Sequence, residues 1–132
     1  MRQENWNQLY NQWNEQYFGG ALDANAVILA PEIHISNGNR RTVANYYPIT
    51  RKIHLIVPTK PNLLHEMVHA WQAVLRRPAV HDTWFWETLW QKSHQVGVKV
   101  ETDEWLKLGT AKLILLRHHK SHLWRLRHVF AF

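Results

Sequence analysis

The sequence predicts a single α+β domain, and three observations carry this prediction. Apolar residues recur at helical spacing near the start, a Val- and Ile-rich stretch with turn residues follows, and helical spacing returns in the second half. The chain has 132 residues, of which 45% are hydrophobic and 20% charged. That length and composition suffice for one domain with one buried core.

The first predicted helix occupies the first seventeen residues. Gly19-Gly20 follows these residues and is expected to end the helix. The positions that make its apolar face are Trp6, Leu9, Tyr10, Trp13 and Tyr17.

Three strand-like runs come next, at residues 26–36, 42–47 and 52–57. Asn37-Gly38-Asn39 is a strong turn signal after the first run, and Pro48 separates the second run from the third. Together they predict a small antiparallel sheet of about three strands.

A second helix is predicted from the segment Pro58 to Pro61, because proline is favoured in the first helical turn. Its apolar positions, 63, 64, 67, 68, 71, 74 and 75, predict a buried face, and Pro78 ends it. The polar stripe consists of His65, His69, Gln72 and Arg76.

Further helices are expected over residues 83–95, stopping near Gly97, and from about Thr102 onward, with Gly109 as a break. We therefore expect residues 1–100 to form the core and residues 101–132 to form a basic helical extension of the same domain.

Composition excludes several classes of protein. The chain has no cysteine, so disulfides, thiol nucleophiles and cysteine-ligated zinc ribbons are excluded. The start of the chain lacks the apolar core of a signal peptide, and no apolar run is long enough to span a bilayer. These observations predict a cytoplasmic protein with no membrane partner.

Charge is distributed unevenly along the chain. Residues 1–104 carry ten Lys/Arg and ten Asp/Glu, so the formal net charge of +6 comes entirely from the segment after Glu104. Such a segment can bind nucleic-acid phosphates, with Trp105 and Trp124 stacking on bases; the alternative is a solvated helix whose aromatics pack on the core. The candidate phosphate-binding residues are Lys112, Arg117, Lys120, Arg125 and Arg127.

The motif that carries chemistry is His65-Glu66-Met67-Val68-His69. On a helix the two histidines lie on one face and can bind one metal ion, while Glu66 lies about 100° around the axis from His65. Glu66 is therefore placed beside the metal, where it can take a proton from a bound water. This pattern predicts a zinc hydrolase with Glu66 as general base.

A catalytic zinc site normally has three protein ligands. Spacing alone leaves three candidates for the third ligand, with His81 ahead of the other two. His81 follows the Pro78 break, Glu87 lies on the next helix, and His94 lies farther along that helix.

These residues and their surroundings resemble the SprT-like (Spartan-type) zinc metalloproteases through most of residues 1–100. The specific segments are Tyr17-Phe18-Gly19-Gly20-Ala21-Leu22 and Leu64-His65-Glu66-Met67-Val68-His69-Ala70-Trp71. Supporting segments are Tyr46-Tyr47, Ile53-His54-Leu55, His81-Asp82-Thr83-Trp84-Phe85 and Gly97-Val98.

The resemblance implies a zincin-like fold and a peptidase whose ligands are His65, His69 and His81. In that family the third ligand is a histidine after the active-site helix, followed by glycine and then an aromatic; here Asp82 replaces the glycine and Phe85 matches the aromatic. It also implies protein substrates held on or crosslinked to DNA, and hence association with the nucleoid. The cysteine-rich ribbon of many bacterial relatives is absent.

Two alternatives remain open at this point. One is a non-catalytic SprT-like module that binds DNA or protein and holds a structural zinc. The other keeps the zinc chemistry but acts on a small molecule or on an amide other than protein.

Overall fold

The computed structural model describes residues 2–30, 35–36, 40–41 and 43–99. In chain order its elements are α1 (Gln3–Tyr17), β1 (Val27–Leu29), β2 (Ile35–Ser36), β3 (Arg40–Arg41), β4 (Ala44–Tyr47), β5 (Lys52–Leu55), α2 (Lys60–Val74) and α3 (Thr83–Val96). Helices and a small sheet confirm the predicted α+β class. The described part of the chain divides into two units, with the boundary between Ala79 and Val80.

α1 buries the face that its aromatic spacing predicts, with Trp6, Tyr10 and Trp13 all in the core. The helix ends because Gly19 and Gly20 adopt the left-handed conformation, with φ of 62° and 69°. The Gly20 amide donates to the Asn14 carbonyl at 2.8 Å and so closes the last turn. A side chain at Gly20 would also meet Glu15, since an added Cβ lies 2.9 Å from its Oε1.

A second face of α1 holds the following segment through side-chain amides. We call the four residues of this face the amide row, and they are Gln3, Asn7, Asn11 and Asn14. Asn7 Oδ1 accepts from the Val27 amide at 2.8 Å, and Asn7 Nδ2 donates to the Val27 carbonyl at 2.9 Å. Asn14 makes the same pair of bonds with Leu22, at 3.0 and 2.8 Å.

The remaining members of the amide row complete the pattern. Asn11 Oδ1 accepts from the Asn25 amide at 2.9 Å, and Gln3 Oε1 accepts from the Leu29 amide at 3.1 Å. These contacts were not predicted from the sequence, because the spacing of apolar residues indicates only the aromatic face of α1.

The main sheet has the strand order β1-β5-β4. β4 and β5 form the expected antiparallel hairpin, with Tyr46 opposite Ile53. β1 runs parallel to β5, with Val27 opposite Ile53, so the sheet is mixed and the prediction of an antiparallel sheet is wrong for this pair. A parallel pair needs a crossover of a dozen or more residues, and the chain supplies it between Leu29 and Lys52.

The first predicted strand, residues 26–36, is divided in the structure. β1 ends at Leu29, two residues before Pro31, which lacks the amide donor that a strand interior requires. β2 pairs with β3 in a separate two-stranded antiparallel sheet, with Ile35 opposite Arg41. These two strands flank the predicted turn at residues 37–39, which itself lies outside the described residues.

α2 begins where the sequence predicts. Thr59 is its N-cap, and the Thr59 hydroxyl accepts from the Asn62 amide at 3.2 Å. Leu63, Leu64, Met67 and Val68 are almost completely buried. At the end of the predicted buried face the structure differs, because Val74 and Leu75 are 44% and 45% exposed.

α3 also matches its predicted bounds. Asp82 is the N-cap, and its Oδ1 accepts from the Phe85 amide at 2.9 Å. Gly97, with φ of 80°, ends the helix. The helix predicted from about residue 102 lies outside the described residues. No helix in the described ranges combines the length and apolar composition needed to cross a bilayer.

Candidate metal centre

α2 places two of the predicted ligands one turn apart. His65 and His69 are both half-buried, and their ring centroids lie 5.1 Å apart. The helix forms here because buried apolar residues alternate with this polar stripe at helical spacing, so the stripe is fixed by the packing behind it. Both imidazoles therefore reach the same side of α2.

Gln72 orients His69. Its side chain is completely buried, and its Oε1 lies 2.7 Å from His69 Nδ1. Because an amide oxygen only accepts hydrogen bonds, Nδ1 of the neutral ring carries the proton and Nε2 carries the lone pair. This is the arrangement that fixes metal-binding histidines in other proteins. Gln72 belongs to the polar stripe predicted from the sequence, and its spacing of three residues after His69 was the available signal for its role.

His69 is also held in the neutral form that a metal ligand requires. The pKa of His69 is lowered to about 4, mainly by burial and also by neighbouring His65, while the hydrogen bond with Gln72 acts in the opposite direction. At neutral pH the lone pair of His69 is therefore available.

Glu66 lies beside the histidine pair, as the motif predicts. It is a buried carboxylate, 7% exposed, and its Oε2 lies 3.9 Å from His65 Nε2. A buried carboxylate is costly unless it is paired or has a chemical task. This position lets Glu66 reach a water molecule held next to His65.

His81 is exposed, but local contacts hold it in place. The Trp86 indole donates to the His81 carbonyl at 3.0 Å. The imidazole lies 4.7 Å from the Phe85 ring and 5.3 Å from the Trp86 ring, between centroids. Asp82, which replaces the glycine of the SprT-like pattern, begins α3 directly after His81 and so fixes the local turn.

His65, His69 and His81 each offer a ring nitrogen, and these three atoms all lie within 4.8 Å of one another. They are close enough to bind one metal ion. Nitrogens around a tetrahedral zinc are separated by about 3.3 Å, from zinc–nitrogen bonds of about 2.0–2.1 Å, and this is the spacing that zinc binding would require of the three atoms. Which metal binds, and whether it is zinc, stays a prediction.

The two other candidates for the third ligand take part in different contacts. Glu87 Oε1 accepts from Gln91 Nε2 at 3.4 Å, and the His94 ring lies 4.7 Å from the Trp90 ring. Among the described residues neither belongs to a group of converging ligands. The five predicted phosphate-binding residues lie outside the described residues: Lys112, Arg117, Lys120, Arg125 and Arg127.

Comparisons of the chain with protein-family models, curated proteins and solved structures found no match. Membership in the SprT-like family therefore stays a prediction that rests on the sequence segments alone.

Proposed function

We propose that this protein is a zinc-dependent metallopeptidase. The observation that carries the proposal is the convergence of three histidine nitrogens next to the buried carboxylate of Glu66. Three imidazoles are the ligand set of a catalytic zinc that keeps one position open. A site that only retained zinc would not need a carboxylate beside its ligands.

The residues of this chain divide the chemistry among them. His65, His69 and His81 would hold the zinc ion, which when bound polarises a carbonyl and lowers the pKa of water to about 7. Glu66 accepts the proton of the attacking water and then passes it to the leaving amine, so that one carboxylate serves as base and then as acid. Gln72 keeps the His69 ring in the orientation that binding needs.

The substrate class comes from the family resemblance. We propose protein substrates, including proteins bound or crosslinked to DNA, and contact with DNA through the basic segment after residue 104. A cytoplasmic location, near the nucleoid, is part of the same proposal. The alternative of a binding module with a structural zinc predicts zinc retention without turnover.

The proposal is tested by the Glu66→Gln variant. We expect wild type and variant each to bind one zinc per chain, because the ligands are unchanged. Cleavage of an unfolded protein should fall by about 10²–10⁴-fold in the variant, since general base catalysis contributes that much. The assay is run with and without single-stranded DNA, and cleavage products are quantified by mass spectrometry.

Glu87→Gln is the matched control, because Glu87 is a half-buried carboxylate outside the ligand group. It should cleave like the wild type. Zinc binding without cleavage by the wild type would favour the binding module. Failure to bind zinc at all would overturn the metal centre, and cleavage of small amides but not of protein would move the substrate to the second alternative.

A further inference from the structure

A cavity of about 490 Å³ lies within residues 1–79, apart from the histidine ligands. This volume falls in the range of about 300–1,000 Å³ that is typical of ligand pockets. The segment after α1, the turn between β4 and β5, and the C-terminal half of α2 form its walls. Its polar lining residues are Tyr10, Asp23, Tyr46, Arg51 and Arg76. We call it the arginine cavity.

The floor of the arginine cavity is apolar and made of short side chains. Ala70, Ala73 and Val74 lie on one face of α2, at positions i, i+3 and i+4. The rest of the apolar lining consists of Ala21, Leu22 and Pro48. Larger residues on this face would fill the space. The combination of an apolar floor and a few convergent polar groups is typical of binding sites.

Both arginines of the cavity adopt backbone conformations that are unfavourable for arginine. Arg51 and Arg76 have φ of 58° and 57°, in the left-handed region that glycine or asparagine adopts most easily. In the described part of the chain the only other non-glycine residue with positive φ is Asn25. Such conformations cost free energy, and they concentrate at functional sites.

Local structure explains why the backbone takes these conformations but not why arginine is there. At Arg76 α2 ends with the Arg77 amide donating to the Gln72 carbonyl at 2.8 Å, a termination that normally places glycine at the preceding residue. At Arg51 the amide donates to the Tyr47 carbonyl at 2.7 Å and closes the turn between β4 and β5. Glycine would adopt the backbone conformation at both positions with less strain. The difference that arginine makes at these positions is therefore its guanidinium group.

The charges at the cavity favour an anion. Arg51 lies 3.6 Å from Asp23 Oδ1, whereas Arg76 makes no ion pair among the described residues. The three charged residues of the lining therefore carry a net charge of +1. Burial raises the pKa of Tyr46, so its hydroxyl stays protonated at neutral pH and can donate a hydrogen bond. The Tyr10 hydroxyl already donates to the Asp23 carbonyl.

We propose that the arginine cavity binds a carboxylate on a short apolar stem, and that it receives an acidic side chain of the protein substrate. Arginine binds carboxylates through two parallel hydrogen bonds, and the alanine floor fits a methylene stem. The binding of a carboxylate does not depend on the proposed peptidase function. The proposal rests on that function only in assigning the carboxylate to a protein substrate.

The position of the cavity along α2 fits a substrate side chain. Ala70 and Ala73 each lie four residues beyond Glu66 and His69, which is about 6 Å along a helix axis. An extended peptide rises about 3.3 Å per residue, so a residue two positions from the scissile bond lies about the same distance along the peptide. The cavity would thus select substrates with Asp or Glu near the cleavage site.

The test uses two nine-residue fluorescent peptides, one with Glu and one with Gln at alternate positions, which differ only in charge. Binding is measured by anisotropy on the full-length Glu66→Gln protein, and cleavage is measured separately on proteins that keep Glu66. We expect the Glu peptide to bind at least tenfold more tightly than the Gln peptide. Arg51→Gly and Arg76→Gly should reduce this preference towards one, while keeping or raising Tm because glycine accepts positive φ.

Asn25→Gly is the matched control, since Asn25 shares the backbone conformation but does not line the cavity; its peptide preference should equal that of the wild type. Equal binding of the two peptides, or a preference that survives both arginine substitutions, would overturn the proposal. If the preference for Glu depends on the arginines but no protein is cleaved, the proposal of a carboxylate-binding cavity would be supported and the proposal of a peptidase would be overturned. Competition by butyrate with no preference between peptides would place a free organic acid in the cavity and overturn the substrate role.

Discussion

Gln72 shows how one buried residue can govern a site that it does not enter. Its amide oxygen is bonded to His69 Nδ1 and is sealed from solvent, so the orientation of the ligand is set before any metal binds. We therefore expect the metal affinity of His69 to depend on this neighbour, which is not itself a candidate ligand.

Replacing Gln72 with Leu should weaken zinc binding by about 10–100-fold, because the hydrogen bond that orients His69 is lost. Gln72→Glu should retain the affinity, since a carboxylate accepts the same hydrogen bond. Zinc affinity is measured by competition with a chromophoric chelator, and circular dichroism checks the fold of both variants. An equal loss of affinity in the two variants would contradict the proposed role of the hydrogen bond.

The lowered pKa of His69 also predicts a pH dependence of stability in the metal-free protein. The unfolded chain takes up a proton at His69 near pH 6.5, whereas the folded protein does so only near pH 4. With respect to this group, the free energy of unfolding should therefore be highest above about pH 6.5. It should fall as the pH drops towards 4, by at most about 1.4 kcal/mol per pH unit for this one proton.

Urea unfolding at several pH values measures this dependence, and the His69→Asn variant should show a shallower one. His94→Asn serves as the control, because His94 is exposed near the end of α3. If wild type and His69→Asn had identical pH dependence, the burial of His69 would not be coupled to folding.

Sequence reasoning at the residue scale succeeded where the spacing is local. His65, Glu66 and His69 fall on one short stretch of helix, so their relation follows from the helical repeat. Spacing alone favoured His81 without excluding Glu87 and His94, and the family resemblance made the choice. The arginine cavity could not be predicted, because nothing in the sequence marks Arg51 and Arg76 as residues with positive φ.

Among the elements, α1 performs two tasks with two of its faces. Its aromatic face enters the core, while its amide row binds the backbone of the segment that leads into β1. Leu22 lies between α1 and β1, and Val27 lies on the open edge of β1. The amide row binds the amide and the carbonyl of both residues, which satisfies the requirement for pairing backbone polar groups.

Asn14→Ala should destabilise the protein by about 1–3 kcal/mol, because it leaves the amide and carbonyl of Leu22 without their partner in a buried place. Asn11→Ala is the matched control on the same helix; its contacts with Asn25 are exposed, so its effect should stay below about 1 kcal/mol. Chemical denaturation of both variants compares the two values, and equal losses would mean that burial does not distinguish these bonds.

The bounds of the elements were predictable where local signals define them. The segment Pro58 to Pro61 predicts a helix start and Gly97 a helix end, and in the structure α2 begins within that segment and α3 ends before Gly97. The direction of β1 was not predictable in this way, because its pairing with β5 joins residues about 26 positions apart. Consecutive strands usually pair as neighbours, and that tendency favoured the wrong antiparallel arrangement.

For the molecule as a whole, the uneven charge distribution leads to a prediction about DNA. Neutralising Lys112, Arg117, Lys120, Arg125 and Arg127 to Gln should weaken binding to single-stranded DNA and reduce its salt dependence. The slope of log K against log salt should decrease by about 0.7 for each phosphate contact removed. Anisotropy titrations between low and high salt measure this slope.

Five basic residues from the neutral part of the chain provide the control when they are changed to Gln: Arg2, Lys52, Lys60, Arg77 and Lys99. The slope should change much less in this variant, because acidic residues balance the charge of residues 1–104. Equal effects of the two sets would show that net charge, and not the position of the basic segment, determines DNA binding.

The amide row also covers the exposed edge of the main sheet, where backbone groups of an edge strand would otherwise lack partners. On the side of β1 away from β5, the Val27 amide and carbonyl and the Leu29 amide are occupied by side chains of α1. An uncovered strand edge is a template on which a second molecule can add its own strand and begin an aggregate. Two side-chain amides of α1, those of Gln3 and Asn7, occupy the positions that an additional strand would take, so their loss should appear first as self-association of a folded protein.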